Sequence, residues 1–286
     1  MAPPELNAVV TLRNQVSPWL MVLQLTPDGW EFPPFLAGQY TTLGMPGCAP
    51  RSPLSDPETS PPDPDRLIRR AYSIASSPVN REYVEFYLNL VPPGILSPRL
   101  FALNLGDRAW LSPKVVGAFT FEHVPQDADV VLVANGSGLA PYLSMLTTHL
   151  ELVSQRRVAL LHGVRHSWDL GYRSVFLAMQ HLRKNFTYLP VVSRPQQEPV
   201  PWRGALGHVQ DAFKTGGALD RALGFHPGPE RTHVFLCGSP LMIEAMTALL
   251  LAEGFRAGTR TLPGTIHAES YWTLEAERRR GGASGP

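Results

Sequence analysis

Cysteine is almost missing from this 286-residue chain: Cys48 and Cys237 are its whole complement. Two thiols cannot supply the four thiolates of an iron–sulfur cluster or of an all-cysteine zinc site, and they exclude a disulfide framework. Imbalance of charge is missing as well. Lys+Arg number 25 against 24 Asp+Glu, a net charge of +1, so no global field draws nucleic acid or an anionic membrane, and any charged partner must meet a local patch. No uncharged apolar run approaches the roughly 20 residues that span a bilayer. The opening Met-Ala-Pro-Pro-Glu-Leu-Asn lacks the basic region and apolar stretch of a signal peptide. These absences lead to the expectation of a soluble, cytoplasmic protein that engages neither nucleic acid nor membrane; a monomer is expected, although no feature of the sequence decides the oligomeric state. What is present is an ordinary globular composition, 44% hydrophobic and 17% charged, in a chain long enough for two domains.

Residues 8–16, 19–26, 39–45, 67–75, 83–90 and 108–115 alternate apolar and polar side chains over short runs broken by turn residues. Such a series, with no helix-period segment between, predicts an antiparallel β-barrel or sandwich. Between the third and fourth runs, residues 46–65 hold 7 prolines in 20 positions. That density sustains neither a ladder nor a helix, and the segment reads as an exposed, partly disordered loop or as one that covers a cofactor or docks a partner. After about residue 124 the pattern changes. Strands at 129–134, 158–163, 188–192 and 233–237 alternate with helices at 141–154, 173–184, 209–214 and 241–253, the signature of a doubly wound α/β parallel sheet. The expected division is a β-barrel domain over 1–124, an α/β domain over 125–272 and a disordered tail over 273–286.

Directly after the first strand of the second half comes Ala134-Asn135-Gly136-Ser137-Gly138-Leu139-Ala140-Pro141. Two glycines allow a sharp turn and close approach of the backbone to a ligand, and the N-terminal amides of the next helix suit phosphate or a nicotinamide ring. Read alone, the turn fits a simple strand-to-helix connection equally well. In the first half, Arg70-Ala71-Tyr72-Ser73 sets a guanidinium suited to pyrophosphate and a phenol suited to a flat heterocycle on one strand face, with a hydroxyl on the other. Four residues alone fit an ordinary edge strand as well.

Taken together and in order, Arg70-Ala71-Tyr72-Ser73, Leu96-Ser97-Pro98-Arg99-Leu100, Gly136-Ser137-Gly138-Leu139-Ala140-Pro141-Tyr142-Leu143-Ser144, Cys237-Gly238-Ser239-Pro240 and Ala268-Glu269-Ser270-Tyr271-Trp272 resemble the bacterial ferredoxin/flavodoxin–NADP⁺ reductases of the plant-type ferredoxin reductase superfamily. Phe35-Leu36-Ala37-Gly38-Gln39-Tyr40 is similar to that family's approach to its third strand. The resemblance implies an FAD-binding β-barrel followed by an NADP(H)-binding α/β domain. It implies hydride transfer between NADP(H) and FAD, and single-electron exchange with ferredoxin or flavodoxin, an acidic carrier. For FAD it implies contacts from Arg70 (pyrophosphate), Ala71, Tyr72 (isoalloxazine), Ser73 (near N5), Tyr87, Ile95, Leu96, Ser97 (backbone and hydroxyl to phosphate), Ser137, Tyr271 over the flavin and Trp272 against the adenine. For NADP it implies Val164 and Ser193 beside Arg165 and Arg194, the arginines that clasp the 2′-phosphate. His208 stands where the family usually carries a further arginine. Imidazole is mostly neutral at pH 7 and has no bidentate fork, so phosphate binding there is expected to be weaker. The resemblance places Cys237 near the nicotinamide, and Ser73 and Glu269 are candidates to relay the N5 proton. No metal is expected.

Two rival readings stand beside this one: an NADH-dependent flavin reductase or oxygenase reductase component, and a non-catalytic FAD-binding electron-transfer subunit. Other candidates carry less. His162 and His166 read as surface histidines on a strand and turn, Cys48 as incidental, and the Met242, Met246, Leu249 and Leu250 stripe as core. Tyr271 and Trp272 read either as a gate over the flavin or as a cap on the α/β core at the end of a last strand.

Overall fold

The six alternating runs of the first half do form strands in the computed structural model, which describes residues 5–149, 156–258 and 264–271. They are β1 (Ala8–Ser17), β2 (Leu20–Pro27), β3 (Tyr40–Pro46), β4 (Leu67–Ser73), β5 (Val84–Asn89) and β6 (Arg108–Val116), joined antiparallel in the order β4-β3-β6-β1-β2-β5. A bridge between Ile74, just past β4, and Phe86 in β5 ties the two edge strands together, so the sheet closes into a barrel. Closure needs strongly coiled strands, and register shifts in β1 and between Thr41 and Leu43 of β3 supply the bends. Met21, Leu23, Leu25, Leu43, Phe86 and Leu111 point inward and are fully buried. One short helix the alternation does not announce, α1 (Ser97–Phe101), adds Leu100 and Phe101 to the same core.

The proline-rich segment departs from the expectation of partial disorder. Its backbone is bonded at both ends and in the middle, Gly47 N to Arg66 O at 2.9 Å, Cys48 N to Pro64 O at 3.0 Å, Ser52 N to Pro98 O at 2.9 Å and Asp56 N to Pro92 O at 3.1 Å. Proline forbids a regular ladder but not isolated turns whose remaining N–H groups find partners one by one.

In the second half, β7 (Asp129–Asn135), β8 (Val158–Val164), β9 (Phe186–Val192), β10 (Ala205–Leu206), β11 (Thr232–Gly238) and β12 (Ile266–Ser270) form a fully parallel sheet in the order β10-β9-β8-β7-β11-β12. Continuous apolar runs such as Val130 to Ala134 are what strands buried on both faces require. The helices are α2 (Ala140–Thr148), α3 (Arg173–Leu182), α4 (Val209–Phe213), α5 (Ala218–Leu223) and α6 (Pro240–Ala252). Met242, Met246 and Leu250 of α6 lie in the sheet's core cluster, as their spacing predicts.

By contacts the chain separates into two compact units. One ends at Thr120 and takes in Ala140–Thr148; the other holds Phe121–Leu139 and the described residues from His149 onward. Within the first unit, Ser144 Oγ of α2 donates to Ser76 O at 2.7 Å, and the Thr148 and Ser77 hydroxyls meet at 2.9 Å. No helix among the described residues is long and apolar enough to cross a membrane. Trp272 and the tail 273–286 lie outside the described residues.

Candidate functional site

Strand order reverses beside β7: the chain steps outward through β8, β9 and β10, then returns to place β11 and β12 on the other side. Open α/β sheets bind ligands in the crevice at the carboxyl ends of the strands that flank such a reversal. At that end of β7 the turn begins with Gly136 in the left-handed region (φ 53°), and a Cβ there would meet nothing within 4 Å, which leaves open space. Gly138 is required for a different reason: a Cβ on it would overlap the Cys237 carbonyl at the end of β11.

Asn135 holds the two turns together. Its Oδ1 accepts from Ser239 N at 2.8 Å and its Nδ2 donates to Ser239 Oγ at 3.3 Å, while Ser239 Oγ also accepts from Met242 N at 3.2 Å and so caps α6. The residue sits inside the glycine motif, but nothing in the motif's spacing reveals this clamp.

Four predicted residues, Ser137, Cys237, Glu269 and Tyr271, lie at the same end of the sheet. The Cys237 thiol donates to the Tyr271 hydroxyl at 3.3 Å, and that hydroxyl donates to Ser137 O at 3.4 Å. Glu269 is the register neighbour of Cys237 across β11 and β12. Burial pushes the Cys237 thiol pKa well up, and the Glu269 charge adds to the rise, so Cys237 is present as a neutral thiol and not as a nucleophile.

At the ends of β8 and β9 the loops are stitched backbone to backbone. Ser193 N and Oγ donate to Val164 O at 3.0 and 3.2 Å, and Arg194 N donates to Arg165 O at 2.9 Å. Among the described residues no carboxylate bridges to either arginine, so both guanidinium charges remain available. Glu198 bolts the two loops from below, accepting from Ser167 N and Ser167 Oγ at 2.6 Å each. His166 adds a bond to Gln197 at 2.6 Å and stacks on Trp168 with centroids 4.4 Å apart. His208 is the exposed residue preceding α4, and its N–H donates to Asp211 Oδ2 at 3.4 Å. The Asp211 carboxyl pKa is lowered from its ordinary value, chiefly by its bond to Lys214, so a negative charge stands beside His208.

In the barrel unit, Arg70 is exposed and Tyr72 is half-buried against the barrel core. Burial raises the Tyr72 phenol pKa, with the Arg70 charge opposing the rise, which marks the two side chains as neighbours on one face. Ser73 is buried, at 4% exposure. Ser97's hydroxyl does not stand ready for a phosphate: it accepts from Val91 N at 3.0 Å and approaches Val91 O at 3.4 Å. What residues 95–97 offer is therefore backbone. Tyr87 is buried at 2% exposure on β5 and presents no open face.

His162 corrects its sequence reading as a surface histidine. β8 is buried on both faces, so His162 is fully enclosed, with Nδ1 3.1 Å from the Tyr188 hydroxyl. Burial lowers its pKa to about 3 and keeps it neutral.

Comparison with known proteins gives a consistent answer. Residues 132–248 match the family model described as oxidoreductase NAD-binding domain. The chain is 34% identical over 244 residues to a flavodoxin/ferredoxin–NADP reductase of Shigella flexneri, covering 84% of this chain and 88% of that one. It is 30% identical over 246 residues to the phenol 2-monooxygenase reductase component DmpP of a Pseudomonas strain, covering 86% of this chain and 61% of that protein. Among solved structures, a Neisseria gonorrhoeae ferredoxin NADP⁺ reductase with bound FAD and NADP superposes with a TM-score of 0.78 over 93% of this chain and 98% of that one, at 24% identity.

Proposed function

This chain belongs to the flavodoxin/ferredoxin–NADP reductase family, and we propose that it is an FAD-dependent oxidoreductase that takes NADP(H) in preference to NAD(H) and exchanges electrons singly with ferredoxin or flavodoxin. FAD, when bound, supplies the conversion between a two-electron hydride and one-electron transfers. The protein's residues bind, orient and protect. The donor set fits the flavin nucleotide: an exposed guanidinium at Arg70 for pyrophosphate, a phenol at Tyr72 for the ring, and backbone N–H groups at residues 95–97. Ser73 Oγ and the Glu269 carboxylate are the groups we assign to hold or pass the proton of flavin N5. Cys237, neutral and enclosed, packs beside the nicotinamide in this reading and takes no part in proton relay. The two free thiols suit a reducing cytoplasm.

The observation that carries the NADP(H) reading is the pair Arg165 and Arg194, joined through their backbones at the carboxyl ends of neighbouring parallel strands. Two uncompensated guanidinium groups there suit a dianionic 2′-phosphate. One observation favours the second reading, an NADH-dependent oxygenase reductase component: His208 has no bidentate guanidinium fork to offer a phosphate, and the Asp211 carboxylate lies against its backbone.

Anaerobic addition of NADPH to the yellow holoprotein tests both. Bleaching of the flavin by NADPH well ahead of NADH supports the proposal. Equal bleaching by both nucleotides moves the assignment to the second reading, and a chain purified without flavin removes both.

A further inference from the structure

The proline-rich loop sends one carboxylate, Glu58, into the protein, and two guanidinium groups close on it. Arg99 Nη1 and Nη2 donate to Glu58 Oε1 and Oε2 at 2.7 and 2.9 Å, a parallel two-point pair, and Arg51 Nη1 donates to Oε1 at 2.9 Å. Each arginine then grips backbone carbonyls. Arg99 donates to Ile95 O at 2.7 Å and Gly47 O at 2.6 Å, and Arg51 to Gly94 O at 3.0 Å, Pro92 O at 3.3 Å and Asp56 O at 2.8 Å. Pro92, Gly94 and Ile95 belong to the turn that leads into residues 95–97. Arg99 is 2% exposed, so its charge has little water to turn to, and Glu58 is the carboxylate that compensates it. Burying a charged arginine and pairing it with a residue 41 positions away is a costly arrangement for a surface loop that had nothing to hold.

We propose that Glu58 is a positioning residue: through Arg51 and Arg99 it locks the turn at residues 92–95 into the shape that receives the adenosine-diphosphate half of FAD. This rests on the functional reading above and extends it to the loop. The physical reason is twofold. Carbonyls held from behind by guanidinium groups keep the turn's peptide planes fixed, so binding does not have to pay the ordering entropy of that backbone. The cluster also holds two cations to one anion, leaving a net positive charge behind a site for pyrophosphate. The carboxyl pKa of Glu58 lies below its ordinary value, mainly through its bonds to Arg99, so the brace is intact at neutral pH.

The test measures FAD dissociation from the holoprotein for the parent, Glu58→Gln and Arg51→Ala, with the flavin absorption bands and the melting temperature recorded at saturating FAD. Arg51→Ala leaves the Arg99–Glu58 pair in place, so it decides the matter if Glu58→Gln does not fold. The expected result is a rise of about tenfold in the FAD dissociation constant in each folded variant with unchanged isoalloxazine bands; the melting temperature stays within a few degrees of the parent for Arg51→Ala, the variant on which that criterion is read, and falls further for Glu58→Gln, which strands the buried Arg99 charge. An unchanged dissociation constant overturns the proposal. So does a rise accompanied by shifted bands and a large loss of melting temperature, which would make the cluster a general clamp on the barrel. A parent chain that binds no FAD removes the functional reading itself, and that outcome is recognised without any variant.

Discussion

Tyr271 offers a sharp test, because its hydroxyl spans the turns at Ser137 and Cys237, where the proposed function puts the nicotinamide. The latch is weak by its geometry. The Cys237 thiol is a poor donor at 3.3 Å, and the bond to Ser137 O is long at 3.4 Å, so the two together are worth about 1 kcal/mol. The half-buried ring adds roughly another 1 kcal/mol of apolar contact. A nucleotide that displaces the side chain has its affinity reduced by this cost, and 1.4 kcal/mol is about tenfold. Tyr271→Phe keeps the ring and loses the bonds, so it should tighten NADP⁺ binding by about fivefold. Tyr271→Ser removes the ring as well and should tighten it by roughly 10–30-fold. Titration of the oxidised holoprotein with NADP⁺, followed by the change in the flavin spectrum, measures both. If Tyr271→Ser lowered only the melting temperature and left nucleotide affinity unchanged, the residue would be a cap on the α/β core and the gate would be wrong.

Replacing both Arg165 and Arg194 by alanine should raise KM for NADPH by at least about 30-fold while moving KM for NADH less than about threefold, since only the former carries a 2′-phosphate to lose; parallel rises for both nucleotides would take the arginines out of the phosphate site. His208→Arg should widen the NADPH preference by about tenfold, near 1.4 kcal/mol, and the gain should grow when Asp211 is also changed to asparagine; an unaltered kcat/KM ratio counts against a phosphate at His208. His226 lies between Asp220 at 2.7 Å and Glu253 at 3.1 Å; burial lowers its pKa, but the two carboxylates outweigh burial and the net shift is upward. The pair therefore stabilises the fold fully below the ordinary imidazole value of 6.5 and loses that contribution as pH rises through the higher folded value. The melting-temperature deficit of His226→Gln should thus be greatest below pH 6.5 and shrink above it, and a deficit that grew with pH would refute the linkage. Finally, a thiol reagent should titrate one fast sulfhydryl per native chain, the exposed Cys48, and two after denaturation, because Cys237 is enclosed and protonated; two fast thiols would mean that the end of β11 opens readily.

The expected strands were found to within a residue or two because each is a property of consecutive side chains. Val130 to Ala134 can only be a doubly covered strand, and alternation along Met21, Leu23 and Leu25 can only face a barrel core. Elements that complete fewer than two periods were missed for the same reason: α1, α5 and β10 contain too few residues for alternation or helical spacing to register. Motif residues were legible as chemistry. The βα turn after β7, the Arg165 and Arg194 pair and the Cys237–Tyr271 contact all lie at the end of the sheet where such chemistry belongs.

What could not be read was which polar side chain answers which across the fold. Asn135 meets Ser239 over 104 positions, Glu198 meets Ser167 over 31 and Glu58 meets Arg99 over 41. Each pairing depends on where strands bring two loops, which depends in turn on the register of the whole sheet. The proline-rich loop shows the consequence most plainly. Its composition argues correctly against regular structure, and the step from there to disorder fails because disorder is decided by available partners as well as by backbone propensity. Backbone carbonyls at Arg66, Pro64, Pro98 and Pro92 supply some of those partners, and the single acidic side chain that meets Arg51 and Arg99 supplies another. The same holds for His162 and His226. Both are histidines in a sequence, yet one is kept neutral by a strand buried on both faces and the other is drawn towards its charged form by two carboxylates. Residue type sets what chemistry a position can perform, and the neighbours that the fold assembles decide which of its states the protein uses.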